Sequence, residues 1–183
     1  MKPWTHLAAA AALALAGLAT TPAHAATVVV DVAGARSTNL LGEAGNTVWL
    51  VDIGAGSVLT SLNWNVTLSA FAPSSLSEMQ VSFGNSSGLE LFTIAPGALD
   101  SVSGTGSYAG FLDLSPFGIS AGADGVLRLE FSESFKDFAL GQAEGEWIGG
   151  SLRFDVSPVP EPASAALALL GLAALTMRMR RRS

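Results

Sequence analysis

The sequence predicts an all-β body: a two-sheet antiparallel β-sandwich, jelly-roll-like or immunoglobulin-like, with a closed barrel as second choice. Three observations support this prediction. Apolar and polar residues alternate over several segments, pieces rich in Gly, Ser, Asn and Pro separate those segments, and no part of the body shows a sustained helical stripe. The body spans residues 26–157, between a predicted N-terminal signal helix and a predicted C-terminal transmembrane helix.

The clearest predicted strand is 58–68, where apolar residues recur at every second position. One face would carry Val58, Leu62, Trp64, Val66 and Leu68. Leu59 falls on the opposite face, among polar residues. This pattern predicts one buried and one solvated face.

The same alternation recurs in 78–83 and in 126–133. In the second of these, Leu127, Leu129 and Phe131 oppose Arg128, Glu130 and Ser132. Further strands are predicted at 26–32, 47–53, 89–95, 107–114 and 147–156.

Residues 1–25 have the three parts of a secretory signal peptide. Lys2 gives a basic start, residues 7–19 are apolar, and Ala23 and Ala25 form a small-x-small site before Ala26. The apolar run is short for a membrane span. We therefore expect the Sec translocon and signal peptidase to act here, and mature protein to begin at Ala26. The alternative is an uncleaved N-terminal anchor.

The composition of the body excludes several kinds of chemistry. Both histidines, His6 and His24, lie in the signal segment, and the chain has no cysteine. Ser-His-Asp and Cys-His catalysis, zinc sites built on His or Cys, and disulfides are therefore excluded from residue 26 onwards. Residues 26–162 hold four basic and 15 acidic residues, a formal charge of −11, which excludes nucleic acid and anionic lipid as partners of the body.

The C-terminal segment combines three adjacent parts. Three prolines between 158 and 162 keep a short neck extended, because proline lacks an N–H and restricts the residue before it. Residues 163–177 carry no charge and predict a helix about 22 Å long, short of the ~30 Å hydrocarbon core. The stop-transfer arginines that follow are Arg178, Arg180, Arg181 and Arg182. The positive-inside rule keeps them cytoplasmic and leaves the body outside the inner membrane.

This arrangement resembles the PEP-CTERM sorting signal of Gram-negative, exopolysaccharide-producing bacteria. The matching residues are Val159, Pro160, Glu161 and Pro162, followed by the apolar helix and the arginines. The resemblance implies processing by an exosortase, a membrane-embedded cysteine protease, so that the inner-membrane tether is transient. It implies delivery to the cell surface or extracellular matrix. The alternative is a permanent single-pass anchor with a proline-rich stalk.

Carboxylates in the body are the candidate metal ligands. Glu130, Glu133 and Asp137 lie near one another in the sequence, and carboxylate oxygens are ligands that Ca²⁺ prefers. No EF-hand or nonapeptide repeat accompanies them. We therefore expect solvated acidic loops and no cofactor.

Three function classes remain. The first is a non-enzymatic exported surface or matrix protein. The second is a carbohydrate-binding module that associates with exopolysaccharide through exposed aromatic rings. Trp49 and Trp64 are predicted to lie in the core, which leaves Trp147 as the candidate for exposure. The third is a secreted hydrolase with paired carboxylates, which the absence of His and Cys from the body disfavours.

Overall fold

Strands form where the sequence alternates between apolar and polar residues. The computed structural model describes residues 25–157. Its strands are β1 (Ala26–Asp31), β2 (Ala35–Ser37), β3 (Thr47–Asp52), β4 (Val58–Ala70), β5 (Met79–Asn85), β6 (Leu91–Ile94), β7 (Gly104–Asp113), β8 (Val126–Glu133) and β9 (Gly145–Ser157). A single 3-10 turn, Ser115–Phe117, follows β7.

The strands form two antiparallel sheets. Sheet A has the order β1-β9-β4-β7, with β2 also paired to β9, and sheet B has the order β3-β8-β5-β6. The prediction of an all-β fold with two antiparallel sheets is confirmed. The predicted signal and transmembrane helices lie outside the described residues. Strand β2 was not predicted, because three residues are too few to show an alternation.

Strand directions gather four loops at one end of the sandwich, which we call the loop end. These loops are 38–46, 71–78, 95–103 and 134–144. The opposite end, which we call the chain end, holds the first and last residues of the body. There Ala26 lies opposite Val156, and Ser157 lies opposite Val58.

Two lines of aromatic rings join the sheets. In one, the rings of Trp49 and Phe131 are 4.8 Å apart and those of Phe131 and Trp147 are 5.1 Å apart, both edge to face. In the other, Phe83 of sheet B lies 5.1 Å from Phe154 of sheet A. Such edge-to-face contacts add to the stabilisation from apolar burial.

A bulge at Thr60 corrects the predicted faces of β4. Leu59 lies opposite Val156 and Ser61 opposite Asp155, so Thr60 is the extra residue on β4. An extra residue reverses which side chains point inward. Leu59 is therefore fully buried and Val58 is only half-buried, the reverse of the prediction.

A second bulge, at Ile148, corrects the predicted exposure of Trp147. Thr67 lies opposite Gly149 and Leu68 opposite Trp147, which leaves Ile148 without a partner. Trp147 consequently points into the core with 0% of its surface exposed, while Ile148 is 47% exposed. Without this extra residue, Trp147 would point away from Leu152, Phe154 and Val156, so its predicted exposure was wrong.

Trp147→Ala should lower the free energy of unfolding by about 3–5 kcal/mol, because it leaves a cavity between the sheets and removes a ring contact with Phe131. Ile148→Ala is the matched control, because it alters the neighbouring, outward side chain. We expect it to cost less than about 1 kcal/mol. Urea unfolding followed by circular dichroism would measure both. A larger loss for Ile148→Ala would contradict the bulge.

Candidate functional site

The candidate calcium ligands, which were not expected from the sequence to bind a metal, fall into two groups at the loop end. Glu130 and Glu133 both belong to β8, and Asp137 follows in the loop 134–144. Positions three apart on a strand point to opposite faces, so Glu130 and Glu133 do not share a site. Glu130 and Glu133 are therefore neighbours in the sequence but not in space.

Glu130 lies on the outer face of sheet B, covered by the loop 38–46. Its carboxylate accepts hydrogen bonds from the Arg128 guanidinium at 2.6 Å, the Gly42 N–H at 2.7 Å and the Asn46 amide at 2.8 Å. Burial acts to raise the pKa of Glu130, but these hydrogen bonds outweigh it and the pKa is lowered. Glu130 is therefore a buried, ionised side chain that holds a loop.

Glu144 and Lys136 fasten the loop 134–144. The Lys136 ammonium lies 2.7 Å from Glu144 Oε1 and also donates to the carbonyls of Thr38 and Gln142. Glu144 Oε1 accepts the N–H groups of Asp137 and Phe138 at 3.0 Å each. Burial opposes ionisation of Glu144, but its hydrogen bonds outweigh burial and lower the pKa. We call this pair the Lys136–Glu144 clasp.

Glu133 lies close enough to the clasp to feel the charges of Glu144 and Lys136, and it differs from the other buried carboxylates. Its side chain is 1% exposed, and within residues 25–157 neither carboxylate oxygen makes a hydrogen bond. Burial raises the pKa of Glu133 to about 8, and the charges of Glu144 and Glu78 add to the shift. Ser37 and Lys136 lower the pKa by less. Glu133 is therefore mostly protonated at neutral pH.

The expectation of solvated acidic loops was wrong for Glu130, Glu133 and Glu144, which are all buried. It holds for Asp137, which is exposed. In the described part of the chain, no group of three or more His, Cys, Asp or Glu side chains is placed to hold a metal ion. The sequence reasoning missed the Lys136–Glu144 clasp, whose partners are eight residues apart and carry no recognised motif.

The three tryptophans of the body do not form an exposed row. Trp147 is buried, and Trp49 and Trp64 are partly buried with their side chains packed against the core, on the faces predicted for them. Trp64 lies over Gly110 of β7, where a Cβ atom would come within 2.1 Å of the indole ring. The absence of a Cβ atom at Gly110 therefore leaves room for the indole against this edge strand.

The predicted processing residues fall almost entirely outside the described part. Ala25 is exposed and Ala26 begins β1. The residues outside are Ala23, the motif Val159, Pro160, Glu161 and Pro162, and the arginines Arg178, Arg180, Arg181 and Arg182. Residues 25–157 contain no helix whose length and apolar character would let it cross a bilayer.

Stability of the body should depend on pH through Glu133. The folded-state pKa of Glu133 is about 8 and its ordinary value is 4.5, so the folded state binds the proton more tightly in the pH window between these two values. Stability should therefore fall as pH rises through this window, by at most about 1.4 kcal/mol per pH unit, and level off above it. Glu133→Gln should flatten this slope and raise stability at alkaline pH, as measured by urea unfolding across the window.

Asp155→Asn is the control of opposite sign. Hydrogen bonds from Ser61 and Thr27 lower the pKa of Asp155, so its contribution is present above the unfolded pKa and lost as pH falls through the folded one. This variant should change stability without changing the slope that Glu133 causes. An unaltered slope in Glu133→Gln would contradict the account of Glu133.

Comparison with solved structures gives only loose likenesses. The infectious bursal disease virus VP2 subviral particle matches at 12% identity over 78% of this chain and 35% of that chain, with a TM-score of 0.38. A serine protease of Aeromonas sobria matches at 14% identity over 80% and 29%, with a TM-score of 0.42. A xylan-binding module matches at 10% identity over 74% and 100%, with a TM-score of 0.43.

The chain spans about a third of the length of the first two of these proteins. All three TM-scores are below 0.5. No curated protein matches the sequence.

A family model gives a specific match. The model described as the PEP-CTERM protein-sorting motif matches residues 158–182. This range contains the proline-rich neck, the uncharged apolar segment and the four arginines. The chain is therefore a protein that carries a PEP-CTERM sorting motif.

Proposed function

We propose that this chain is a non-enzymatic protein of the cell surface or extracellular matrix, sorted and cleaved by an exosortase. The observation that carries the proposal is the sorting-motif match at residues 158–182. The motif implies export, membrane-associated sorting and an exosortase as the processing partner. The surface or matrix as final location, and cleavage near Pro160, Glu161 and Pro162, are our inference.

The chain divides into three segments with separate tasks. Residues 1–25 direct export and are removed before Ala26, residues 26–157 are the delivered body, and residues 158–183 are the sorting signal. Within the last segment, 163–177 acts as a short transmembrane helix, and the arginines hold its end in the cytoplasm. A helix this short is a marginal lasting anchor, which favours a temporary one.

The position of the chain end supports this order of events. Ala26 and Val156 lie opposite each other on β1 and β9, so the polypeptide chain enters and leaves the body at the same end. Both cuts would therefore act near the chain end and leave the loop end untouched.

The described body gives little support to a hydrolase. An open groove of about 440 Å³ lies between β6 and the turn after β7. Its lining includes Phe92, Phe117 and Ile119, and it holds one carboxylate, Glu90. Glycoside hydrolysis generally uses a pair of carboxyl groups, and the lining of this groove does not provide a pair.

Strand order favours the jelly-roll alternative over the immunoglobulin-like one. From β3 to β9, the chain passes from one sheet to the other at every connection except the β5–β6 hairpin. Immunoglobulin sheets instead keep several consecutive strands, such as A and B, together. We therefore infer a jelly-roll body.

Processing should depend on the three-residue motif. Replacing Pro160, Glu161 and Pro162 with alanine should leave the body attached to the inner membrane with its arginine tail, because the protease no longer finds its extended recognition strip. Wild-type protein from the surface or medium should lack the tail. Cell fractionation and intact-mass measurement would show both, in cells with and without the exosortase.

Replacing Arg180, Arg181 and Arg182 with lysine gives the matched control, because it keeps the positive charge behind the helix. Its processing should be unchanged. Surface protein that still carries residues 180–182 in wild-type cells would overturn the proposed cleavage. Release that is indifferent to the alanine triplet would do the same.

A further inference from the structure

We propose that the outer face of sheet A binds an uncharged polysaccharide along a row formed by Val29, Arg153, Asn63 and Phe111. This inference rests on the proposed function, because the body must reach the space where polysaccharides lie. Binding along this row would hold the exported body in a matrix.

Register places the four residues in one line across four strands. Val29 of β1 lies opposite Arg153 of β9, Arg153 lies opposite Asn63 of β4, and Asn63 lies opposite Phe111 of β7. With strands about 4.8 Å apart, the row is about 14 Å long. We call it the Arg153 row.

Side chains of the Arg153 row point away from the core. Their sequence neighbours Leu152, Phe154, Leu62 and Leu112 pack inward. Phe111 is 63% exposed and Val29 is 59% exposed. Arg153 is also exposed and Asn63 is partly exposed, so solvent reaches the whole row.

Polar groups of the Arg153 row are available for a ligand. Within the described residues, the side chains of Arg153 and Asn63 make no hydrogen bond to protein. The neighbouring row is already engaged, since Asp155 accepts from Thr27 at 2.9 Å and from Ser61 at 2.6 Å. Arg153 also differs from Arg36, Arg128 and Lys136, each of which forms an ion pair.

The chemistry of the row fits a sugar polymer better than other ligands. The Phe111 ring offers an apolar face on which a sugar ring can lie, while the Asn63 amide and the Arg153 guanidinium donate to hydroxyl groups. Small molecules need a concave site, and this face has no wall. A protein partner needs an apolar interface core, and the centre of this row, Arg153 and Asn63, is polar.

The charge of the body selects among polysaccharides. Residues 26–162 carry a formal charge of −11, and Asp31, Asp113 and Asp155 share this face with Arg153. An acidic polymer would be repelled over most of the surface. An uncharged polymer meets no such repulsion, so we assign the row to one.

Affinity electrophoresis tests the assignment directly. Protein purified with detergent from the producing cells is run through native gels containing the neutral or the acidic polysaccharide fraction extracted from the same cells. The neutral fraction should retard the wild type. Phe111→Ala and Asn63→Ala should each weaken binding at least about tenfold, because the first removes the stacking surface and the second removes a hydrogen-bonding group.

Leu50→Ala is the matched control. Leu50 is 64% exposed on β3, on the outer face of sheet B, so this variant removes a similar exposed apolar group from the other face. Its retardation should equal that of the wild type, and thermal unfolding should confirm that all variants are folded.

Three results would overturn the assignment. They are no retardation by the neutral fraction, retardation by the acidic fraction alone, and equal retardation of wild type, Phe111→Ala and Leu50→Ala. Fractionation and mass measurement score sorting independently of this assay. A negative result in the gels would therefore contradict only polysaccharide binding by the Arg153 row. A failure of sorting would be detected by fractionation and mass measurement alone.

Discussion

Contact between the inner faces of the two sheets is the interaction on which the body depends. With no cysteine and no described metal cluster, nothing covalent or coordinated ties sheet A to sheet B within residues 25–157. The sheets are joined by apolar packing, to which the ring contacts Phe131–Trp147 and Phe83–Phe154 contribute. Close packing between sheets gives a domain of this size a sufficient core without staples.

The two bulges make that packing possible. Each adds one residue to a long central strand and so changes which side chains point inward, Leu59 in place of Val58 and Trp147 in place of Ile148. The fold class and eight of the nine described strands were predicted from local patterns of apolar, polar and turn-forming residues. The faces beyond a bulge do not follow from such patterns, because an extra residue is set by pairing with a distant strand. That is why the exposure of Trp147 was predicted wrongly.

Buried charge was also beyond the reach of the sequence pattern. Alternation assigns Glu130 to a solvated face, yet the loop 38–46 folds over it and supplies two of its three hydrogen bonds. Glu144 and Lys136 similarly find each other through a loop closure that no periodicity encodes. Phe111 could have been noticed, because it is the apolar residue out of phase with Tyr108 and Leu112 in an otherwise regular strand. Its row partners Arg153 and Asn63 become neighbours only through the register.

The place where the chain leaves the body has a mechanical consequence. Ser157 is the last residue of β9, and β9 is an interior strand bonded to β1 on one side and to β4 on the other. Tension applied beyond Ser157 would therefore run along β9 and load both ladders in shear, many hydrogen bonds at once. An edge strand under the same tension could peel away one bond at a time. The body is thus built to resist extraction from the side on which its sorting segment begins.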